Sequence, residues 1–105
     1  MKIAVTSQNR RAVTGHAGRC RRFWIFTVED GAITDKTLLE LSKEESFHDS
    51  DGSAPHPLDE VDVLLTGGMG SGLAQCLARK EIRALVTQAE DPDEAVQAFL
   101  LNDQA

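Results

Sequence analysis

Val61-Asp62-Val63-Leu64-Leu65-Thr66-Gly67-Gly68-Met69-Gly70-Ser71-Gly72 is the stretch that decides the fold. Its first six residues form a short apolar run stopped by two glycines, the pattern of a buried strand. Residues 70–80 then place Leu73, Cys76 and Leu77 on one helical face. Ile82 to Thr87 is a second apolar run, read as another strand. A strand, helix and strand in this order predict a parallel pair joined by a right-handed crossover. Asp91-Pro92-Asp93-Glu94 opens a last helix. Asp91 is a natural N-cap, Pro92 suits the first helical position, and Glu94 can complete a capping box. Val96, Phe99 and Leu100 give that helix its apolar stripe.

Upstream, the pattern changes from helical to strand spacing. Residues 2–6 carry Ile3 and Val5 in alternation and predict a first strand. Phe23 to Val28 is an aromatic and β-branched run, a second strand. Glu29-Asp30-Gly31 is a hairpin turn, since Asp-Gly between two such runs is a strong local signal. Ala32 to Leu41 is the third strand. Residues 42–60 are charged, hold Pro55 and Pro57, and predict an irregular connection. The expected architecture is α/β: a five-stranded mixed sheet of order 3-2-1-4-5 flanked by helices, over a single domain spanning residues 1–105. This is also the sheet order of ribonuclease H-like domains. In that order the connections after the first and fourth strands leave in opposite directions, and ligands bind at such a switch point.

Two segments emerge there. Residues 7–22 are polar and Arg-rich and predict a long loop, of which residues 10–22 are expected to be mobile without ligand and to make few core contacts. Within it, Gly15-His16-Ala17-Gly18-Arg19-Cys20-Arg21-Arg22 places an imidazole and a thiol four positions apart. These are soft-to-borderline ligands, suited to iron–sulfur or transition-metal chemistry. Arg19 and Arg21 beside Cys20 are expected to lower its thiol pKa and favour the thiolate. The alternative is that Cys20 tucks under the sheet edge. His48 lies where it can reach the same end of the sheet, whereas His56, between two prolines, is expected to be structural. One cysteine and one or two histidines are too few for a structural zinc site. The second segment, Gly67 to Gly72, can hold an anion on backbone N–H groups at a helix start. It lacks the Lys-Ser/Thr of a Walker loop, and its third glycine falls one residue early for the dinucleotide pattern. The competing reading is a tight turn that needs positive φ angles. Cys76, beside Leu73 and Leu77, is expected in the core.

The charge is divided along the chain. Residues 1–28 hold Lys2, Arg10, Arg11, Arg19, Arg21 and Arg22 and no acid, a charge of +6; the formal charge of the whole chain is −6, leaving −12 for the remainder. A basic loop on an acidic body steers a compact anion to one place. It argues against nucleic acid, whose phosphates the rest of the surface would repel. The bland reading is a set of solvated arginines. No acid precedes Glu29, so a two-metal carboxylate nuclease is not expected, and no nucleophile–base spacing points to a serine or cysteine hydrolase. The apolar runs are too short for a signal peptide or a membrane span, so a cytoplasmic protein with two thiols and no disulfide is expected.

Ile3-Ala4-Val5-Thr6-Ser7, His16-Ala17-Gly18-Arg19-Cys20 and the aromatic strand that follows resemble the start of the dinitrogenase iron–molybdenum cofactor biosynthesis family, the NifX and NifB C-terminal type of cluster-binding domain. Asp62 to Gly70 and Ala84 to Thr87 look like its second half. The resemblance implies a ribonuclease H-like fold without nuclease activity. It also implies transient binding of an anionic iron–sulfur or molybdenum–iron–sulfur cluster, or a precursor, exchanged with donor and acceptor proteins as in nitrogen fixation. His16 and Cys20 fall on the histidine and small-or-cysteine positions of the family's His-Phe-Gly-Arg-x motif, with Ala17 in place of Phe. No radical-SAM domain accompanies them, so a non-catalytic role is expected. On this reading Cys20 and His16 are metal ligands. Gly18, Arg19, Arg21, Arg22 and His48 surround the cargo, and Gly67, Gly68, Met69 and Gly70 close the site. The alternatives are a regulatory module for a small phosphorylated or carboxylated anion, with cysteine dispensable, and a protein-interaction domain without a ligand.

Overall fold

The computed structural model describes residues 1–9, 11–15, 20–41 and 58–103. Five strands, β1 (Lys2–Thr6), β2 (Arg22–Glu29), β3 (Ala32–Glu40), β4 (Val63–Thr66) and β5 (Arg83–Val86), and two helices, α1 (Ser71–Arg79) and α2 (Pro92–Asp103), occur in the order β1-β2-β3-β4-α1-β5-α2. The sheet order is β3-β2-β1-β4-β5. β1 pairs antiparallel with β2, β2 antiparallel with β3, and β4 lies parallel to both β1 and β5. This is the mixed sheet expected from the sequence.

The two central strands are apolar on both faces because both faces are covered. Ile3 and Val5 of β1, Phe26 and Val28 of β2, and Val63 and Leu65 of β4 point to one side, where Ala95, Val96, Phe99 and Leu100 of α2 pack on them. Ala4, Phe23 and Leu64 point to the other, against Leu77 of α1 with Leu41, Leu58, Val61 and Ile82. Ile3, Val5, Phe23, Phe26, Leu77 and Val96 are fully buried. Each such side chain contributes about 1.5–3 kcal/mol relative to exposure.

The hairpin turn and the Asp91 cap form as expected. Asp30 (φ 54°) and Gly31 (φ 79°) form a two-residue hairpin turn between the paired residues Glu29 and Ala32. Two successive positive φ angles match the twist of the flanking strands. A bulge at Thr27/Val28 shifts the β2–β3 register. The Asp91 carboxylate accepts from the N–H groups of Asp93 (2.8 Å) and Glu94 (3.4 Å), capping α2. Lys36 of β3 meets Asp93 at 3.1 Å and lies 4.5 Å from the Trp24 ring centroid, tying the start of α2 to the sheet. The run Ile82–Thr87 is only partly core. Ile82 is buried, whereas Val86 is 60% exposed, because β5 is an edge strand with one neighbour. Among the described residues, no helix is long and apolar enough to cross a membrane.

Candidate functional site at the sheet switch point

β1 and β4 end side by side at Thr6 and Thr66, and both threonines are fully buried. The segment after β1 and the segment after β4 meet there. The Thr14 carbonyl accepts from the Gly67 N–H (3.0 Å) and from the Thr6 hydroxyl (2.5 Å), and the Thr66 Oγ1 lies 3.2 Å away. Thr66 Oγ1 is also 2.9 Å from Thr6 Oγ1 and accepts from the Gly68 N–H at 3.3 Å. The two loops expected at one end of the sheet are therefore bonded to each other.

The described part of the first loop is laced by hydrogen bonds. The Asn9 carboxamide oxygen accepts from the N–H groups of Arg11 and Ala12, both at 2.9 Å. Ser7 donates its hydroxyl to the Ala12 carbonyl, Gln8 N–H donates to Thr14 Oγ1, and Val13 N–H donates to the Glu90 carbonyl. Small polar side chains close successive turns over the strand end. His16, Gly18 and Arg19 lie outside the described residues, as do His48 and His56.

Cys20 departs from its expected electrostatic setting. It is 3% exposed and packs in the α1-side core with Ala4, Phe23 and Leu64. Its thiol donates to the Arg22 carbonyl at 3.0 Å. Burial pushes the thiol pKa above its ordinary value. Hydrogen bonds from the Arg22 and Ser7 backbone and the Thr14 side chain, and the Arg22 charge, pull the other way and do not prevail. Loss of water around the sulfur outweighs nearby positive charge. The alternative of Cys20 tucked under the sheet is the one the fold adopts. Cys76 is half-buried rather than core, with its neighbour Leu77 taking the fully buried position. Neither thiol is in a disulfide.

The arginines around Cys20 are also employed within the fold. Arg21 donates Nε–H to the Leu41 carbonyl (3.2 Å) and its own N–H to the Gln8 side chain. Arg22 donates to the Gln8 carbonyl (2.9 Å) and faces Glu40 at 3.6 Å. These contacts fasten the end of the first loop to β3.

The glycines of the second loop differ from one another. A Cβ on Gly67 would lie 3.2 Å from the Thr14 carbonyl carbon and 3.3 Å from its oxygen, so a side chain here would crowd the first loop and push it back by a few tenths of an ångström. Gly68, Gly70 and Gly72 face open space, where an added Cβ would meet nothing within 4 Å. Among the described glycines, only Gly31 has a positive φ, so the tight-turn reading of residues 67–72 does not hold. Met69 is half-buried and packs on the α1-side core, anchoring the loop. Gly70 is the N-cap of α1, with extended backbone (φ −81°, ψ 162°), no side-chain cap and no acid in the first turn. α2 has the opposite arrangement, with Asp91 as cap and Asp93 and Glu94 in its first turn. The sequence pointed to these glycines but not to the threonines around them: Thr6 and Thr66 carried the signal of a polar residue ending each of two apolar strands, and Thr14, in the loop, carried none.

A family match decides the affiliation: the family described as dinitrogenase iron-molybdenum cofactor matches residues 1–102. The chain belongs to this family. An uncharacterized protein of Methanocaldococcus jannaschii, MJ0580, is 27% identical over 92 residues, covering 88% of this chain and 61% of that protein. The chain thus spans about three-fifths of the length of that relative. Solved structures share the fold. The crystal structure of PH0822 superposes with a TM-score of 0.79 at 19% identity, covering 97% of this chain and 90% of that one. A crystal structure of M. jannaschii MJ0327, whose name refers to dinitrogenase, gives 0.74 at 13% identity, covering 98% and 90%. An NMR structure of the Thermotoga protein TM1290, whose name refers to NifB, gives 0.65 at 18% identity, covering 93% and 85%. Among the described residues, no three His, Cys, Asp or Glu side chains cluster as a ready metal site.

Proposed function

We propose that the chain is a non-catalytic carrier for an anionic iron–sulfur or molybdenum–iron–sulfur cluster, or a precursor of one, which it takes from a donor protein and yields to an acceptor in the cytoplasm. The cargo rests against the Gly68–Gly72 backbone at the start of α1. His16, two residues beyond Thr14, is one ligand. Cys20 becomes the other when its sulfur leaves the Arg22 carbonyl and loses its proton to solvent, so capture by the thiol is favoured as pH rises.

The observation that supports this reading is the contrast between the two helix starts. α2 satisfies its own positive end with Asp91, Asp93 and Glu94. α1 brings neither cap nor acid, and the three glycines around its start leave room that the fold does not use. A helix N-terminus without a side-chain cap and with open space before it attracts an anion. Family membership supplies the class of anion.

Gly70→Asp separates this reading from a structural one. Asp is a preferred N-cap, so the variant is expected to gain a few tenths of a kcal/mol in stability. The added carboxylate repels an anionic cargo. Anaerobic loading with ferrous iron and sulfide, followed by iron quantitation and visible absorption, should show strong loss of loading in the more stable variant. Equal loading in wild type and Gly70→Asp removes the helix start from the site. Absence of iron uptake by wild type removes the carrier reading and leaves the small-anion module.

A further inference from the structure

We infer that Thr66, acting with Thr6, is a positioning residue of this site, a hydroxyl joint that holds the Gly67–Gly70 loop and the segment leading to His16 in one fixed relation. The inference rests on the carrier reading for its functional meaning and on geometry for its existence.

Thr6, Ser7 and Thr66 are the buried polar residues among those described. Strands β1 and β4 are otherwise apolar from Ile3 to Val5 and from Val63 to Leu65. Valine has nearly the same shape as threonine, suits a strand equally, and carries no hydroxyl to desolvate. Threonine at the last position of both strands therefore calls for partners, and the partners lie in the loops. The Thr6 hydroxyl donates to the Thr14 carbonyl. Thr66 Oγ1 has one proton, shared between the Thr14 carbonyl (3.2 Å) and the Gly68 carbonyl (3.1 Å), while it accepts from the Thr6 hydroxyl (2.9 Å) and the Gly68 N–H. The Gly67 N–H completes the joint on the same Thr14 carbonyl. Every bond except the one between the two hydroxyls runs to a loop. Thr14 is two residues before His16, and Gly68 is two residues before the N-cap of α1. The joint therefore fixes the first loop, as far as Thr14, against the loop that leads into α1. Such preorganisation removes an ordering cost from binding.

The test uses the full chain, uniformly labelled with nitrogen-15, as wild type, Thr66→Val, Thr66→Ser and Gly67→Ala. In Thr66→Val the Gly67 and Gly68 amides should exchange at least tenfold faster while the amides of Val5 and Leu64 keep their protection. Anaerobic iron–sulfide loading should fall at least tenfold, and Thr66→Ser should restore both. Gly67→Ala, which keeps both hydroxyls but inserts a Cβ against the Thr14 carbonyl, should reproduce the loss of loading; it also serves if the valine variant does not fold. Unchanged Gly67 and Gly68 exchange in Thr66→Val overturns the joint. Faster exchange with wild-type loading overturns its positioning role and leaves the carrier reading intact. No loading by wild type itself overturns the carrier reading, and the joint is then structural only.

Discussion

The Cys20 thiol donates to the Arg22 carbonyl at 3.0 Å, while the Arg22 guanidinium is directed away to Gln8 and Glu40. Arg22, two residues on, thus gives the thiol a carbonyl acceptor while its charge is engaged elsewhere. Folding favours the protonated sulfur, and burial raises its pKa.

This has a consequence for stability against pH. The unfolded thiol ionises near its ordinary value of about 8.5. Between that pH and the higher folded value, the unfolded chain has released a proton that the folded chain retains. Stability is therefore complete below about pH 8 and falls as pH rises beyond it. Urea melts from pH 7 to 10 should show this decline, and it should be smaller in Cys20→Ala. Identical slopes in the two proteins would mean that the buried thiol does not contribute.

Alkylation should separate the two cysteines. Cys76 is half-buried on α1, and Cys20 is 3% exposed with a raised pKa. Iodoacetamide at pH 8 should modify Cys76 on the order of tenfold faster or more, because the reagent needs an accessible thiolate. Mass spectrometry of tryptic peptides reads the ratio. Faster modification of Cys20 would show that the sulfur is available without unfolding.

Cys20→Ala should also be the more costly cysteine substitution, about 1–2 kcal/mol against less than 1 for Cys76→Ala, since only Cys20 belongs to a buried cluster. Chemical denaturation of the two variants checks the order.

The glycines of the second loop should divide by their surroundings. Gly67→Ala is expected to destabilise the fold, because its Cβ meets the Thr14 carbonyl. Gly68→Ala and Gly72→Ala meet nothing and should fold normally, Gly72→Ala gaining up to about 1 kcal/mol within α1. Both should still impair iron–sulfide loading by filling the space in front of the helix. Normal loading in both would place the cargo elsewhere.

Local signals should give modest, separable losses. Asp91→Ala removes the acceptor for two N–H groups of α2 and should cost about 1 kcal/mol. Gly31→Ala places a side chain at φ 79° and should cost about 1–2 kcal/mol. Thermal melts of the two single variants and the double variant should be close to additive, since the sites lie at separate turns.

The sequence by itself determined the order of elements, the sheet order and the turn and cap residues. Asp30-Gly31, Asp91-Pro92 and the apolar run ending at Gly67-Gly68 act within a few residues, so their physics is visible in a linear string. It also brought the two loops to one end of the sheet, because strand direction and crossover handedness leave little choice. What it could not decide was the environment of each side chain at that end. Arg19 and Arg21 beside Cys20 suggested an exposed thiolate, but the direction of the side chain and the apolar wall of Ala4, Phe23 and Leu64 arrive through tertiary packing. Desolvation then prevails over sequence-neighbour charge. The four loop glycines looked equivalent in sequence. Only the approach of Thr14 crowded the space beside Gly67 and left Gly68, Gly70 and Gly72 open. Thr6 and Thr66 are 60 residues apart in the chain, and their hydroxyls meet because β1 and β4 lie side by side.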